Sequence, residues 1–442
     1  MFHRFRKYCY RLKSFFACHA ELVEAPCQKV FPLLSGLFLV KLCIKFKMSG
    51  TKKPNYILPT IVIAQFLCTS LWFAGNAVLP DIVKSFPTET NLLANLTSMV
   101  QFGFISGTLV FAFFAISDIF SPSKVFFICG IAAALFNLGI CLELADVHLL
   151  LLFRFLTGFM LAGIYPVGMK IASDYFKDGL GKSLGFLVGA LVLGTAFPHL
   201  LKTFTANFPW QYVIFATSGL SLIGAIAILC FVPNGPFRTA GQKFDFRSCF
   251  NGFKNPDFRS AAFGYFGHMW ELYTFWAFLP GMLLLYNTKY AHATLNIPLF
   301  SFLIIASGGL SCMIGGLLSQ KFGAKRIATI ALSISGSCCL LSPIFLFSGS
   351  VYPFLIFLFC WGLSGTADSP LFSSLIAKHA PESLRGTSLT LVNCIGFAIT
   401  IISIQVINLL AKEMNSHYLY MVLAVGPVLG LWALLTGIKR NR

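Results

Sequence analysis

Charged residues are scarce in this sequence, and acidic residues are the scarcest of them. Only 11% of the residues are charged, and 15 acidic residues are outnumbered by 33 basic ones, while 57% of the chain is hydrophobic. Soluble domains carry about 25% charged residues, so this composition excludes an ordinary soluble domain and indicates a membrane protein. The net charge of +18 is spread over short loops between apolar runs. That distribution excludes a nucleic-acid-binding face.

Motifs for enzyme chemistry are also missing. The 14 cysteines include no Cys-x-x-Cys pair and no Cys/His set at ligand spacing, so we expect buried thiols, with no disulfide or metal site. There is no phosphate-binding loop, and His268-Met-Trp-Glu271 lacks the second histidine of a zinc helix. The sequence therefore predicts no enzyme and no cofactor. Any work that the chain does must draw on an ion gradient.

Twelve apolar runs dominate what is present. Each suits a helix of about 20 residues, which is the length that crosses a bilayer, and no period-two alternation favours a barrel. The sequence thus predicts an all-α integral membrane protein with twelve transmembrane helices. We call the runs segments one to twelve, at residues 57–79, 91–116, 124–144, 147–172, 182–203, 209–232, 260–286, 296–319, 323–347, 352–376, 386–411 and 417–438.

Basic residues between the segments predict the orientation. From Met48 onward, the loops, segment ends and chain ends hold 19 Lys and Arg on one side and four on the other, and the one remaining cation, Arg154, lies within segment four. Because cytoplasmic loops are enriched in Lys and Arg, both termini are predicted to be cytoplasmic.

The N-terminal stretch, residues 1–55, is predicted to be a basic cytoplasmic segment. Its apolar run at 31–44 is short and interrupted by Lys41, which fits neither a span nor a signal peptide. Residues 18–25, CHAELVEA, resemble a translated dispersed repeat of bacterial genomes. We expect Met48 to be the true start, with residues 1–47 either an annotation artefact or a disordered tail.

The two halves of the chain echo each other. A polar, basic linker at 233–259 separates a six-helix half at 56–232 from a second at 260–442, which ends in a short cytoplasmic tail. Gly158 and Pro166 in segment four match Gly362 and Pro370 in segment ten at the same spacing. The repeated order indicates a parallel duplication, which is a known transporter design.

A loop motif brings a family resemblance. The loop GLLSQKFGAKR between segments eight and nine supplies Gly316, Lys321, Gly323, Lys325 and Arg326. It resembles the cytoplasmic G-x-L-x-D-R-x-G-R-K-R loop of the major facilitator superfamily, with Gln320 where the acid usually stands. The equivalent loop after segment two keeps only Asp118 and Lys124. The resemblance covers nearly all of residues 50–440 and implies two six-helix halves around a central cavity.

Other motifs narrow the expected activity. Arg154-Phe-Leu-Thr-Gly158 resembles the R-x-x-x-G motif that the family links to proton coupling. The Gly-Pro pair that drug:proton antiporters carry in segment five is broken here, as Gly194-Thr-Ala-Phe-Pro198. Segments two and eight contain no arginine, which excludes the nitrate or nitrite substrate of some similar chains.

The resemblance implies that segments one, four, seven and ten line the cavity. Polar and aromatic residues gather in these segments, mostly at helical spacing on one face. We therefore predict that the substrate cavity is lined by Gln65, Trp72, Asn76, Tyr165, Phe275 and Trp276.

The four strongest candidates for buried titratable residues lie in the same segments: Arg154, His268, Glu271 and Asp368. His268 and Glu271 share a helix face, and Glu271 lies about 18 Å along its helix, near the middle of a core about 30 Å thick. Acids at that depth usually mark a pathway or a proton relay. The alternatives are a static pair at Glu271, an Arg154 that snorkels to the outer surface, and an Asp368 that caps a helix broken at Pro370.

Depth also predicts one contact. Counted from the inner ends of segments seven and ten, His268 and Asp368 both lie roughly 12–13 Å deep. We expect their side chains to approach closely, either as part of proton coupling or as a static hydrogen bond.

The sequence thus favours a proton-coupled symporter that moves a small polar or organic solute by alternating access. Glu271 is the predicted proton carrier, because burial favours the neutral form of a carboxyl group. Arg154 would contact an anionic substrate group or balance a cavity acid. We expect a monomer in the bacterial inner membrane whose partners are solute, protons and lipid. An efflux antiporter, a channel and a non-transporting receptor are the alternatives.

Overall fold

Helices account for the architecture of the part of the chain that the structure describes. The computed structural model describes residues 55–86, 91–142, 146–176, 180–238, 249–290, 294–381, 385–413 and 417–439. Within these ranges there are twelve helical segments, at the positions predicted to within a few residues. Ten helices are long and apolar enough to cross a membrane, and Ile57–Thr69 is a shorter apolar helix. The predictions about residues 1–47 lie outside the described residues.

Segments one to six form the first half. Segments one and four are each broken into two helices. The helices are Ile57–Thr69 and Ala74–Ala77 (one), Leu92–Phe113 (two), Pro122–Leu138 (three), Val147–Leu161 and Tyr165–Tyr175 (four), Leu180–Phe204 (five) and Gln211–Phe231 (six). A short helix, Leu79–Ile82, follows segment one beyond its apolar span.

Segments seven to twelve form the second half, in which segment ten is broken. The helices are Pro256–Lys289 (seven), Ile297–Phe322 (eight), Ala324–Phe345 (nine), Val351–Ala367 and Ser369–His379 (ten), Arg385–Glu413 (eleven) and Val425–Lys439 (twelve). A 3₁₀-helix, Leu419–Ala424, leads into segment twelve.

Proline breaks segments four and ten at matching places. Pro166 and Pro370 each stand at the start of the second helix of their segment, where the missing N–H removes a bond to the preceding turn. In segment ten the carbonyl of Thr366, four residues before Pro370, accepts from the thiol of Cys312 at 3.3 Å. A side chain from segment eight thus compensates for the lost helical bond.

Glycines allow a matching close contact in each half. A Cβ atom at Gly158 would lie 1.9 Å from the carbonyl oxygen of Val100 in segment two, and one at Gly362 would lie 2.8 Å from that of Ile304 in segment eight. Only a residue without a side chain fits at these crossings. Segments four and ten therefore pack against segments two and eight in equivalent ways.

The halves meet along two helix pairs, segments two and eleven and segments five and eight. Amide and hydroxyl groups join the first pair. Asn408 Nδ2 donates to Asn91 Oδ1 at 2.8 Å, and Gln405 Nε2 donates to Ser98 Oγ at 3.0 Å. This polar seam lies towards the ends of segments two and eleven that the charge distribution predicts to be outside.

Candidate functional site

The carboxylate of Glu271 lies inside the second half, where two side chains donate to it. Trp361 Nε1 donates to Oε1 at 2.5 Å, and Ser335 Oγ donates to Oε2 at 2.9 Å. Only 2% of Glu271 is exposed. A separate donor for each oxygen stabilises a charge that has lost its water.

His268 and Asp368 meet about one turn along segment seven from Glu271. Nδ1 of His268 is 2.9 Å from Oδ1 of Asp368, and the side chains are 1% and 0% exposed. The predicted close approach is confirmed. The contact is not a straight hydrogen bond, because no described residue gives an aligned donor to either Asp368 oxygen or a partner to His268 Nε2. Buried polar atoms left in this state are costly and are typical of functional sites.

Segment seven carries two different faces at this depth. His268, Glu271 and Phe275 face the interior of the second half, where Phe275 stacks on Trp361 with ring centroids 4.6 Å apart. Tyr265, Tyr273 and Trp276 face the central cavity together with Met269 and Leu272. The titratable cluster (His268, Glu271, Asp368) therefore adjoins the cavity without lining it.

The cavity lies between the two halves and is small. Its volume is about 30 Å³, which holds about one water molecule. Of the predicted residues, Tyr165 and Trp276 line it. The other polar and aromatic lining residues are Tyr265, Tyr273, Thr366, Ser369, Ser373, Asn393 and Phe397.

Trp72 lies beside the cavity in an aromatic contact between the halves. Its ring centroid is 5.7 Å from that of Phe397 and 6.0 Å from that of Tyr273. Phe73 meets Trp276 edge-on at 6.4 Å. Because Trp72 and Phe73 connect the helices of segment one while their partners belong to segments seven and eleven, this stacking holds the halves together.

Three other predicted cavity residues pack within one half. Asn76 Nδ2 donates to Thr97 Oγ1 at 2.7 Å. Gln65 lies against segment four, where a Cβ at Gly168 would be 2.4 Å from its Oε1. Phe275 stacks on Trp361, as described above. In this conformation the three lie outside the cavity lining, because they pack against neighbouring helices, and their role as substrate contacts stays a prediction.

Arg154 is fully buried at the break in segment one. Nη1 donates to the carbonyl of Leu71 at 3.2 Å and to Asn137 Oδ1 at 3.5 Å, and Nη2 donates to the carbonyl of Trp72 at 2.5 Å. With 0% exposure it does not snorkel to a surface. In the described ranges no carboxylate lies within 4 Å of it. The guanidinium stabilises carbonyls at the helix break: in the described ranges that of Trp72 accepts from no amide, and that of Leu71 accepts a long bond of 3.5 Å from the N–H of Ala74.

The loop after segment two is held by Lys170 of segment four and Arg238 of the linker. Asp118 Oδ1 is 2.6 Å from Lys170 Nζ. Arg238, from the start of the linker, donates through Nη2 to the carbonyls of Asp118 and Phe120 at 2.9 and 2.8 Å. Lys124 is exposed. A linker arginine thus holds the loop in which the family motif is reduced to two residues.

The loop between segments eight and nine turns at Gly323. Its φ of 87° is a backbone conformation that favours glycine, and its N–H donates to the carbonyl of Ser319 at 2.9 Å, which ends segment eight. The other motif residues of this loop are Gly316, Lys321, Lys325 and Arg326. No carboxylate of the described residues lies within 4 Å of the three basic side chains.

Comparison with known families decides the relationship. The family model of the Major Facilitator Superfamily matches residues 61–404. The chain belongs to this superfamily. It is therefore a multi-pass membrane protein of a transporter family, with the twelve-helix fold that the sequence predicts.

Solved structures of superfamily transporters share the fold. The human organic anion transporter MFSD10 (TETRAN) has a TM-score of 0.68 and 14% identity, over 86% of this chain and 100% of that one. A mutant of the nucleoside transporter NupG has a TM-score of 0.65 and 14% identity, over 86% of this chain and 99% of that one. The proton:xylose symporter XylE, bound to 6-bromo-6-deoxy-D-glucose, has a TM-score of 0.69 and 13% identity, over 87% of this chain and 96% of that one. These identities show the fold alone. No curated protein gave a significant match.

Sequence reasoning missed the partners of Glu271 and most of the polar lining of this transporter-family chain. Ser335 lies in segment nine, outside the four presumed cavity segments. Thr366, Ser369 and Ser373 follow one another at three- and four-residue spacing on segment ten. That spacing marks one helix face and would have found them.

Proposed function

We propose that the chain is a secondary active transporter that carries a small polar or organic solute by alternating access, in symport with protons. The titratable cluster (His268, Glu271, Asp368) is the observation that supports proton coupling. It is built on segments seven and ten, which also line the cavity. The solved relatives carry an organic anion, a nucleoside and xylose, so they support solute transport while differing in substrate.

Glu271 has the contacts that a reversible proton carrier needs. When ionised, it accepts from Trp361 and Ser335. When Glu271 is protonated, the Ser335 oxygen can accept a hydrogen bond from the new carboxyl O–H and turn its own O–H towards the carbonyl of Leu332, 3.3 Å away. The indole N–H of Trp361 can only donate, and it keeps its bond to the other oxygen. In both states the two oxygens of Glu271, the Ser335 hydroxyl and the Trp361 N–H each keep a partner.

The pair of His268 and Asp368 connects the proton to helix movement. An ionised Asp368 stabilises positive charge on the imidazole. Glu271 is close enough for its charge to act on both residues. Protonation of Glu271 therefore changes the electrostatic interaction that holds His268 and Asp368 together. Asp368 is the single residue between the two helices of segment ten. A change in the pair therefore acts at a break in a cavity-lining segment.

A flux measurement in proteoliposomes tests the proposal. With acidic medium outside, wild-type protein should accumulate at least one of radiolabelled D-xylose, uridine or succinate above equilibrium. Glu271→Gln should abolish this accumulation. Glu413→Gln, an exposed acid at the end of segment eleven, should leave it unchanged. Accumulation that ignores the pH gradient, or that persists in Glu271→Gln, contradicts the proposal.

We also propose that the chain acts as a monomer in a bacterial inner membrane. The 19-to-4 distribution of basic residues supports a topology with both ends in the cytoplasm. An epitope inserted after Thr88 should be reached by antibody in spheroplasts with an intact inner membrane. One inserted after Thr239 should be reached only after permeabilisation. The reverse result would invert the topology.

A further inference from the structure

We propose that the central cavity recognises an uncharged ring solute with several hydroxyl groups, which is either a free sugar or the sugar part of a nucleoside. This inference rests on the proposed transport function and names the chemical class of its substrate.

The lining of the cavity offers no charge to a solute. Each lining residue that the structure describes is aromatic, aliphatic, a hydroxyl residue, a methionine or an amide. None of the buried charges nearby lines the cavity: Arg154 donates to backbone carbonyls, Glu271 accepts from two donors, and Asp368 lies 2.9 Å from His268 Nδ1. A charged solute would lose its hydration here without a counter-charge. The lining therefore favours a neutral solute.

Hydrogen-bonding groups in the lining are nevertheless plentiful and unpartnered. The side chains of Tyr165, Tyr265, Tyr273, Ser369 and Asn393 line the cavity and make no hydrogen bond within the described part of the chain. Tyr265 and Tyr273 are only 5% and 3% exposed. Hydroxyl and amide groups both donate and accept, as each hydroxyl of a sugar does. Several such groups around one small space suit a solute with several hydroxyls.

Aromatic rings in the lining supply the apolar contact that a sugar ring also makes. Tyr273 lies 5.0 Å from Trp276 and 5.2 Å from Phe397, measured between ring centroids. These rings form one continuous wall, against which the C–H face of a sugar ring can stack. The first half adds an apolar cover from segment five: Val188, Leu191 and Val192. A mostly apolar pocket with a few placed polar groups is the usual form of a small-molecule site.

The present conformation has no room for a ring, because the cavity holds about 30 Å³. Entry requires Trp72 to separate from Phe397 and Tyr273, the contacts that join the halves. The solute would then replace aromatic contacts between the halves with contacts to the same rings.

Binding to the purified protein in detergent tests the inference. Tryptophan fluorescence and thermal shift are recorded with D-xylose, D-glucose, uridine, adenosine, uracil and ribose, and with succinate and choline as charged comparators. We expect saturable binding of at least one sugar or nucleoside. Binding of uridine without ribose or free sugars identifies a nucleoside, and binding of free sugar identifies a sugar. The affinity should fall at least tenfold in Asn393→Ala and in Tyr265→Phe. It should not change in Tyr352→Phe, whose ring is 78% exposed on the outer surface of the bundle.

Three outcomes overturn the inference: binding of charged solutes only, binding of neutral solutes that is unchanged in both cavity variants, or no binding of any neutral solute in the panel. Folding of the variants is checked by size-exclusion chromatography. Gradient-driven accumulation of a charged solute contradicts this inference alone. Sugar or nucleoside binding without gradient-driven accumulation contradicts the proposed coupling alone. Glu271→Gln should retain binding, because Glu271 does not line the cavity.

Discussion

Arg154 in the first half and Glu271 in the second are both almost fully buried, at 0% and 2% exposure, yet their surroundings differ. The partners of Arg154 are two backbone carbonyls and an amide oxygen. None of these groups titrates. Glu271 is held by a hydroxyl and an indole N–H, and it lies one helical turn from His268, whose side chain contacts Asp368.

We propose that this difference separates a structural charge, that of Arg154, from a charge that changes during transport, that of Glu271. A guanidinium does not release its proton in proteins, and carbonyls cannot take one up, so Arg154 fixes the broken helix of segment one. The cluster in the second half can hold a proton at more than one position. The two halves share their proline breaks and glycine contacts. Their architecture is therefore symmetric while their chemistry is not.

Replacement of Arg154 should give the largest effect on stability. Arg154→Met leaves the carbonyl of Trp72 without a donor and that of Leu71 with only the 3.5 Å bond from the N–H of Ala74. Since hydrogen bonds to charged groups contribute roughly 1.5–3 kcal/mol each, we expect unfolding to become easier by about 3 kcal/mol. The stability of Arg154→Lys should lie between those of wild type and Arg154→Met, because one ammonium group replaces the several N–H donors of the guanidinium. Denaturant unfolding in detergent measures both. A stable Arg154→Met protein that has lost its response to a pH gradient would place Arg154 in the coupling machinery.

A double-mutant cycle sharpens the contrast in the second half. Asp368→Asn and His268→Gln should each slow gradient-driven uptake about tenfold, which corresponds to about 1.4 kcal/mol. The double variant should be no slower than either single one, because both changes remove the same pair. Initial rates in proteoliposomes measure the cycle. Losses that add would show that the two residues act separately.

Ser335 should have a smaller effect, because it serves only one oxygen of Glu271. Ser335→Ala removes the hydroxyl that accepts a hydrogen bond from the protonated carboxyl group, and a hydrogen bond contributes roughly 1 kcal/mol. We expect uptake to slow about fivefold and Ser335→Thr to restore it. Ser337→Ala is a matched control on the same helix, since Ser337 is exposed and donates only to the carbonyl of Ser333. An equal loss in both variants would argue against a specific role for Ser335.

Asp81, an acid near the surface, should have the smallest effect on stability. It lies 2.5 Å from Lys202 and 3.3 Å from Lys84. Partial burial raises the pKa of Asp81, but the hydrogen bonds and charges of the two lysines outweigh it and hold the pKa below its usual range. A lowered folded pKa adds stability above about pH 3.9, where unfolded Asp titrates, and that stability is lost as pH falls through the folded pKa.

Asp81→Asn should therefore lower the unfolding free energy near neutral pH by less than about 1 kcal/mol. The difference from wild type should vanish in acid. Thermal unfolding followed across pH measures it, and an equal difference at all pH values would mean that the charge of Asp81 is irrelevant.

Much of the fold could be predicted because hydropathy, proline and loop charge act locally. The contact between His268 and Asp368 followed from helical rise alone, since both lie at the same depth on neighbouring segments. The site of Arg154 could not be predicted. Segment one breaks within Ser70–Phe73, which contains neither glycine nor proline, and only the folded packing shows which carbonyls are left free.

The cavity face was also beyond the sequence. Helical spacing places the polar residues around one central space, but a low-dielectric interior also favours hydrogen-bond donors around a buried charge inside one half. Glu271 therefore turns to Trp361 and Ser335, and the cavity is left to Tyr265, Tyr273 and their neighbours. Helical spacing identifies a face without saying what that face meets.

Whether Glu271 exchanges a proton is measured most directly by infrared difference spectroscopy of the reconstituted protein during pH steps. We predict a carboxyl carbonyl band that appears on acidification, is absent in Glu271→Gln, and persists in Arg154→Lys and Glu413→Gln. A protonated-carboxyl spectrum that is identical in wild type and Glu271→Gln would contradict the assignment of Glu271 as the proton carrier.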